Sequence, residues 1–144
     1  MTIAYSKEIR STVTGEGNIE ISIAKVDKPI PADDEVLIEV HAAPINPSDI
    51  GLLITFAGDL SNINISGSGD DLVASMKIHP GLMASMKSRL DKSLTVGNEG
   101  SGIVVDAGKN AEELIGKTVG LAGGSMYSQS VSYTHLTLPT TGVV

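Results

Sequence analysis

Cysteine is absent from the 144 residues of this chain. Its absence removes disulfides, thiolate nucleophiles and cysteine-ligated zinc together. Tryptophan is absent too, and with one phenylalanine and three tyrosines the core has to be aliphatic. Positive charge is also scarce. Ten lysines and arginines stand against 17 aspartates and glutamates, for a net charge of −7, and the basic residues are scattered. That distribution lacks the footprint of a nucleic-acid-binding surface, and an acidic surface favours solubility. No apolar run approaches the roughly 18 residues of a membrane-spanning helix. The N-terminus, MTIAYSKEIRS, lacks the basic start and apolar stretch of a secretory signal. A soluble protein of the reducing cytoplasm is expected.

What is present is ordinary for a globular chain, with 41% hydrophobic and 19% charged residues. A chain of this size buries roughly 70% of its unfolded surface, enough for a core without covalent staples. One globular unit is expected.

Residues 2–13 and 18–26 read as two strands joined by Thr14-Gly15-Glu16-Gly17, with Ile19, Ile21 and Ile23 alternating with polar partners. The segment DKPIPADD, with two prolines and three acids, reads as a surface connection. It is followed by VLIEVHAAPINPSDIG, residues 36–51. Here Val36, Ile38 and Val40 line one face of a strand, which Pro44 and Pro47 end because neither has an N–H to donate. The turn then presents Asn46, Ser48 and Asp49. From spacing alone, Ser48 or Asp49 simply caps the short segment Ile50–Ile54. A rigid strand delivering polar side chains into a turn can also line a cleft. Short strands with glycine and proline punctuation, before any long helix, point to a small, partly open β-barrel of mainly β, α+β class.

Residues 57–93 read as a helical insert. Leu72–Lys77 and Leu82–Lys87 are near repeats, LVASMK and LMASMK, and are expected as two short helices. Leu82, Met83, Met86 and Leu90 form a stripe that either packs on the barrel or walls a substrate pocket. Gly97-Asn98-Glu99-Gly100-Ser101-Gly102 is expected as a tight turn followed by a strand. Its Gly-x-x-Gly-x-Gly spacing, followed by a strand rather than a helix, is not the dinucleotide fingerprint. Residues 111–115 read as one helical turn closed by Gly116, and 117–121 as a strand. No Gly-x-Gly-x-x-Gly follows residue 120. None of the three histidines has a metal-ligand spacing: His41 reads as a surface residue beside Glu39, His79 as part of a turn, and His135 as part of the tail.

Two motifs together, Ala43-Pro44-Ile45-Asn46-Pro47-Ser48-Asp49 and Gly97-Asn98-Glu99-Gly100-Ser101-Gly102, resemble the N-terminal, GroES-like domain of the medium-chain dehydrogenase/reductase superfamily. The resemblance is to its zinc-independent quinone oxidoreductase and enoyl reductase branches, and it covers roughly residues 20–130. Ala122–Gln129 resembles the family's Gly-rich turn before an aromatic and a last barrel strand. In the zinc alcohol dehydrogenases of this superfamily, the positions of Asn46 and Asn98 carry a metal-binding cysteine and histidine. Amides are poor zinc ligands by comparison, so the resemblance implies chemistry without zinc.

It further implies hydride transfer from NADPH to a quinone or an activated alkene, with Asn46, Ser48 and Glu99 as catalytic residues. Asn46 and Pro47 would meet the cofactor, and Asp49, Phe56, Asn98 and Tyr127 would lie around the substrate pocket. Asp49 is also expected to bond backbone amides of its own turn, and Glu99 to be satisfied by turn amides or a nearby cation. The enoyl reductases of the group carry a tyrosine shortly after the asparagine turn. Phe56, in Ile54-Thr55-Phe56-Ala57, has no hydroxyl, which favours a quinone or enone over an enoyl thioester.

Residues 131–144, VSYTHLTLPTTGVV, resemble translated adaptor sequence. They are expected to be a non-native or disordered tail, the alternative being a terminal β-strand. The domain proper would then be residues 1–130, a fragment without its Rossmann cofactor domain, inactive alone, from a parent enzyme that forms homodimers. The rival expectation is a non-catalytic binding or oligomerisation module built on the same barrel.

Overall fold

A computed structural model of the chain describes residues 5–134 and 136–137. The chain divides into two compact units. One comprises Lys25–Pro44 and the described residues from Gly97 to Thr137, with the start of the first strand; the other comprises Glu8–Ala24 and Ile45–Val96.

The described strands are β1 (Tyr5–Val13), β2 (Asn18–Asp27), β3 (Val36–Ala42), β4 (Asn64–Ser66), β5 (Val73–Lys77), β6 (Ser93–Thr95), β7 (Glu99–Ala107), β8 (Thr118–Ala122), β9 (Ser130–Tyr133) and β10 (Leu136–Thr137). They form two five-stranded sheets, ordered β4-β5-β2-β1-β6 and β10-β8-β7-β3-β9. The mainly β, α+β class expected from the sequence holds and is consistent with a GroES-like fold, but in place of the expected partly open barrel the described strands form two sheets that do not close into a barrel. The only α-helix among the described residues, α1, spans Pro47–Leu53, and no described helix is long and apolar enough to cross a membrane.

Each unit has its own core. Val36, Ile38, Val104, Val119, Leu121, Met126 and Val131 are buried together in the first. Val13, Ile19, Met76, Ile78 and Met86 are buried together in the second, with Phe56, Met83 and Leu90 packed against them. These cores are aliphatic and methionine-rich, as the shortage of aromatics requires. Met83, Met86 and Leu90 of the stripe thus pack into a core, the first of the two readings weighed for it, and Leu82 is exposed.

The helical insert is corrected in its first half. Residues 73–77 are a strand, paired antiparallel with β2 through Ile19↔Met76 and Ile21↔Ala74, and with β4 on the other side. The near-identical 82–87 lie in a 3-10 helix, Pro80–Arg89. The two hexapeptides differ only at Val73 and Met83, and the β-branched residue sits in the strand. Pro80, at the first position of the 3-10 helix, is pre-set for helical geometry.

The Gly-dense turn is shorter than expected, because Glu99 and Gly100 already belong to β7 and pair with Ala122 and Leu121. The helical turn before Gly116 is a 3-10 turn at Glu112–Leu114, with Gly116 at φ +82°.

Of the segment expected as a non-native or disordered tail, residues 131–133 are ordered in β9, which does not bear on their origin. That strand pairs with β3 through Val36↔Tyr133 and Ile38↔Val131, and Val131 is in the core. The Ser132 hydroxyl donates to the Glu35 carboxylate at 2.7 Å. The Tyr133 hydroxyl donates to the Ala122 carbonyl at 3.3 Å, in a notch left by the missing side chain of Gly123. The terminal-strand alternative therefore describes 131–133. His135 and residues 138–144 lie outside the described residues.

Candidate functional site

The sequence-predicted site residues fall into two groups, one in each unit. In the second unit they sit on α1 and the turn that starts it. Asn46 is extended, at φ −89° and ψ 157°, and Pro47 opens the helix. The Asn46 carbonyl accepts from the Asp49 N–H at 2.9 Å. In return the Asp49 carboxylate accepts from the Asn46 N–H at 2.8 Å. Asp49 is fully buried and closes its own turn. Its negative charge lies in the first helical turn, where the helix dipole favours it. The capping reading thus holds for Asp49. Asn46 is left half-buried, with Pro47 and Ser48 exposed. Phe56 is committed to the core of this unit, with the Arg89 guanidinium 5.9 Å from its ring centre.

Two residues that no motif pointed to hold the other end of α1. The Leu52 carbonyl accepts from the Ser11 hydroxyl at 2.6 Å and from Arg89 Nη2 at 3.2 Å. Arg89 Nη2 also donates to Ser11 Oγ at 3.1 Å. Ser11 is fully buried, and burial pushes the Arg89 guanidinium below its ordinary pKa. The three residues are 37 to 78 positions apart in sequence. The one available signal was an arginine at the end of a helical segment, which tertiary contacts alone connect to α1.

In the first unit, Asn98, Glu99 and Tyr127 gather with Pro44. Gly97 has φ +93°, and a Cβ there would stand 2.6 Å from both the Tyr127 ring and its backbone nitrogen. Its carbonyl accepts from the Met126 N–H at 3.1 Å, and the Asn98 carbonyl accepts from the Gly123 N–H at 2.7 Å. The Tyr127 hydroxyl donates to the Pro44 carbonyl at 2.9 Å. Glu99 and Pro44 border an open groove of about 390 Å³, completed by Ala42, Gly100, Ser101 and the Gly120–Ala122 stretch of β8. Backbone edges and small side chains form much of this groove, and Glu99 is the only charged group among its described lining residues. Tyr127 is thus a buttress at the end of β3, its hydroxyl turned to a backbone carbonyl.

The two described histidines play the minor parts expected. His41 Nε2 lies 3.0 Å from Glu39 on the surface, and His79 Nδ1 accepts from the Gly81 N–H at 3.2 Å. Among the described residues no three histidines, cysteines or acids are grouped as a metal site.

No protein-family model matches the sequence, and no curated protein matches it either. Solved structures do. The chain is similar to a candidate NADPH:quinone reductase from Bacillus thuringiensis, with a TM-score of 0.58 and 21% identity over 93% of this chain and 33% of the other. It is similar to the CurF ER cyclopropanase of the curacin A biosynthetic pathway, with a TM-score of 0.54 and 20% identity over 92% and 35%. The quinone oxidoreductase from Coxiella burnetii gives a TM-score of 0.52 and 21% identity over 90% and 35%. This chain therefore spans about a third of the length of the structures it matches. At such identity the likeness establishes the fold, and that fold is the one implied by the resemblance to medium-chain dehydrogenases/reductases.

Proposed function

We propose that the chain is the substrate-side domain of a zinc-independent, NADPH-dependent cytoplasmic oxidoreductase that reduces a quinone or an activated alkene by hydride transfer. One observation carries the reading: over 90% or more of its length the chain shares a fold with quinone reductases; the resemblance drawn from its sequence adds that Asn46 and Asn98 would stand where the zinc-dependent branch carries metal ligands.

The residues present fit one end of the cofactor. Asn46 and Ser48 bring a carboxamide and a hydroxyl to an accessible helix start, a donor set suited to a nicotinamide and a substrate carbonyl. The pyrophosphate fits no segment in hand, since no Gly-x-Gly-x-x-Gly occurs after residue 120. The 144 residues alone are therefore inactive in this reading, and most of the nucleotide affinity comes from elsewhere in the parent enzyme, a homodimer.

NADPH, when bound, supplies a hydride to the substrate carbon conjugated with a carbonyl. The chain's own part is to hold the oxygen that gains negative charge as that bond forms. The Asn46 amide and the Ser48 hydroxyl are the donors, pre-set by the Asp49 cap, so that little reorganisation is needed as charge develops. A proton completes the reduction, and the Ser48 hydroxyl is the group through which it passes. The resemblance would give Pro47 the cofactor, Glu99 a catalytic part, and Asp49, Phe56, Asn98 and Tyr127 a place around the substrate.

Resequencing the gene across the codon for Gln129 is the first test. The expected result is a strand, a Gly-x-Gly-x-x-Gly turn and a helix within a few tens of residues. The protein expressed from that frame oxidises NADPH with 1,4-benzoquinone, and Asn46→Ala lowers its kcat by about 10²-fold or more. If no nucleotide-binding segment follows and the chain elutes from gel filtration as a large ring, the oligomerisation-module reading replaces this one.

A further inference from the structure

We infer that Arg89 is a positioning residue. Together with the buried Ser11 hydroxyl, it sets the pose of α1 and thereby of Asn46 and Ser48 at the helix start.

The argument begins with length. α1 has seven residues, fewer than the roughly 12 to 15 that an isolated helix needs to be even marginally stable in water. Its pose must come from outside it. The N-terminal cap, Asp49 on Asn46, is internal to the element and moves with it. At the C-terminal end there is no basic residue in the last turn, and among the described residues the Ile50 carbonyl accepts from local donors, the N–H groups of Ile54 and Thr55 and the Thr55 hydroxyl.

Leu52 differs. Its carbonyl receives the Ser11 hydroxyl of β1 and Nη2 of Arg89, while Nη2 also reaches Ser11 Oγ. Those three bonds form a closed triangle that joins α1, β1 and the end of the 3-10 helix. A cation at this end also complements the helix dipole. The arrangement has a cost: Arg89 Nε is buried with no partner among the described residues, and no carboxylate among them forms an ion pair with the guanidinium. Such a partly desolvated, incompletely satisfied cation is a poor stabilising device. It makes sense as a device that fixes geometry, with one planar nitrogen bridging two acceptors. The bearing of this pose on catalysis rests on the reading of Asn46 and Ser48 above; the positioning itself does not.

The test is residue-resolved amide hydrogen exchange on the 144-residue chain and its Arg89→Met, Arg89→Lys and Ser11→Ala variants. The reporters are the N–H groups of Ile50, Ile54 and Thr55; the reference is the β2–β5 ladder around Ile21 and Ala74. Arg89→Met is expected to speed reporter exchange roughly tenfold or more beyond any change in the reference ladder. Ser11→Ala should do the same, and the double variant should add little to either. Arg89→Lys, which keeps the charge but loses the fork, should restore the reference ladder without restoring the reporters. If reporters and ladder change by one common factor in Arg89→Lys and Ser11→Ala, or if the reporters do not change, Arg89 only stabilises the unit and the inference fails. Those two milder variants decide the matter even if Arg89→Met does not fold. Absence of NADPH oxidation by the parent enzyme would overturn the proposed function and leave this result standing.

Discussion

Gly97 is bound by two separate constraints. Its φ of +93° is left-handed, and its α-carbon faces the Tyr127 ring and amide with no room for a methyl group. Gly97→Ala is expected to cost about 2–3 kcal/mol, from backbone strain plus overlap, measured by urea unfolding. A loss under about 0.5 kcal/mol would mean that the turn relaxes. Glu35 shows charge at the same scale. Its carboxylate accepts from the Ala32 N–H at 3.0 Å and from the Ser132 hydroxyl at 2.7 Å. Those two bonds, in that order of size, hold its pKa below the usual glutamate range. The folded state thus binds this proton more weakly than the unfolded state. The associated stability is complete above the unfolded value and is lost as pH falls through the folded one. Ser132→Ala should raise the Glu35 pKa seen by NMR titration, and Glu35→Gln should reduce the acid dependence of unfolding; an unmoved titration in Ser132→Ala would show that the bond is not formed in solution.

At the scale of the element, α1 and the twin hexapeptides carry the argument. Asp49→Ala removes the carboxylate that closes the Asn46 turn and should destabilise the chain by about 1–2 kcal/mol, measured by denaturant unfolding; an unchanged midpoint would assign the cap to other groups. The hexapeptides allow a stricter trial. Val73→Met makes residues 72–77 identical to 82–87, yet the ladder from Asn18↔Lys77 to Ser22↔Val73 should keep the segment extended. We expect NMR shifts at Ala74 and Met76 to stay those of a strand, at a cost within about 1 kcal/mol. A switch to helical shifts would mean that the local sequence, and not β2, chooses the conformation. This is also where sequence reading failed, because a six-residue apolar run has no period long enough to separate strand from helix.

For the whole molecule, the span of about a third of the matched structures leads to a functional prediction. The 144 residues alone should show no NADPH oxidation with 1,4-benzoquinone and no stoichiometric zinc by elemental analysis. Turnover by this chain alone would sink the view that the nucleotide is held elsewhere, and stoichiometric zinc would return the asparagine positions to the metal-dependent branch.

The sequence by itself determined the aliphatic cores, since no other large side chains were available, and the strand from Val36 whose β-branched face is buried. It also determined the Asn46–Asp49 turn, whose proline, asparagine and acid act within four residues of one another. Local signals suffice where cause and effect are neighbours in the chain. Tertiary structure alone decided the strand at 73–77, the place of Val131–Tyr133 in the first unit's sheet, the division into two units, and the Ser11–Arg89–Leu52 triangle. Each of these depends on partners tens of residues away. Hydrogen bonds and burial between such partners exist only once the chain has folded back on itself, so no local pattern could announce them.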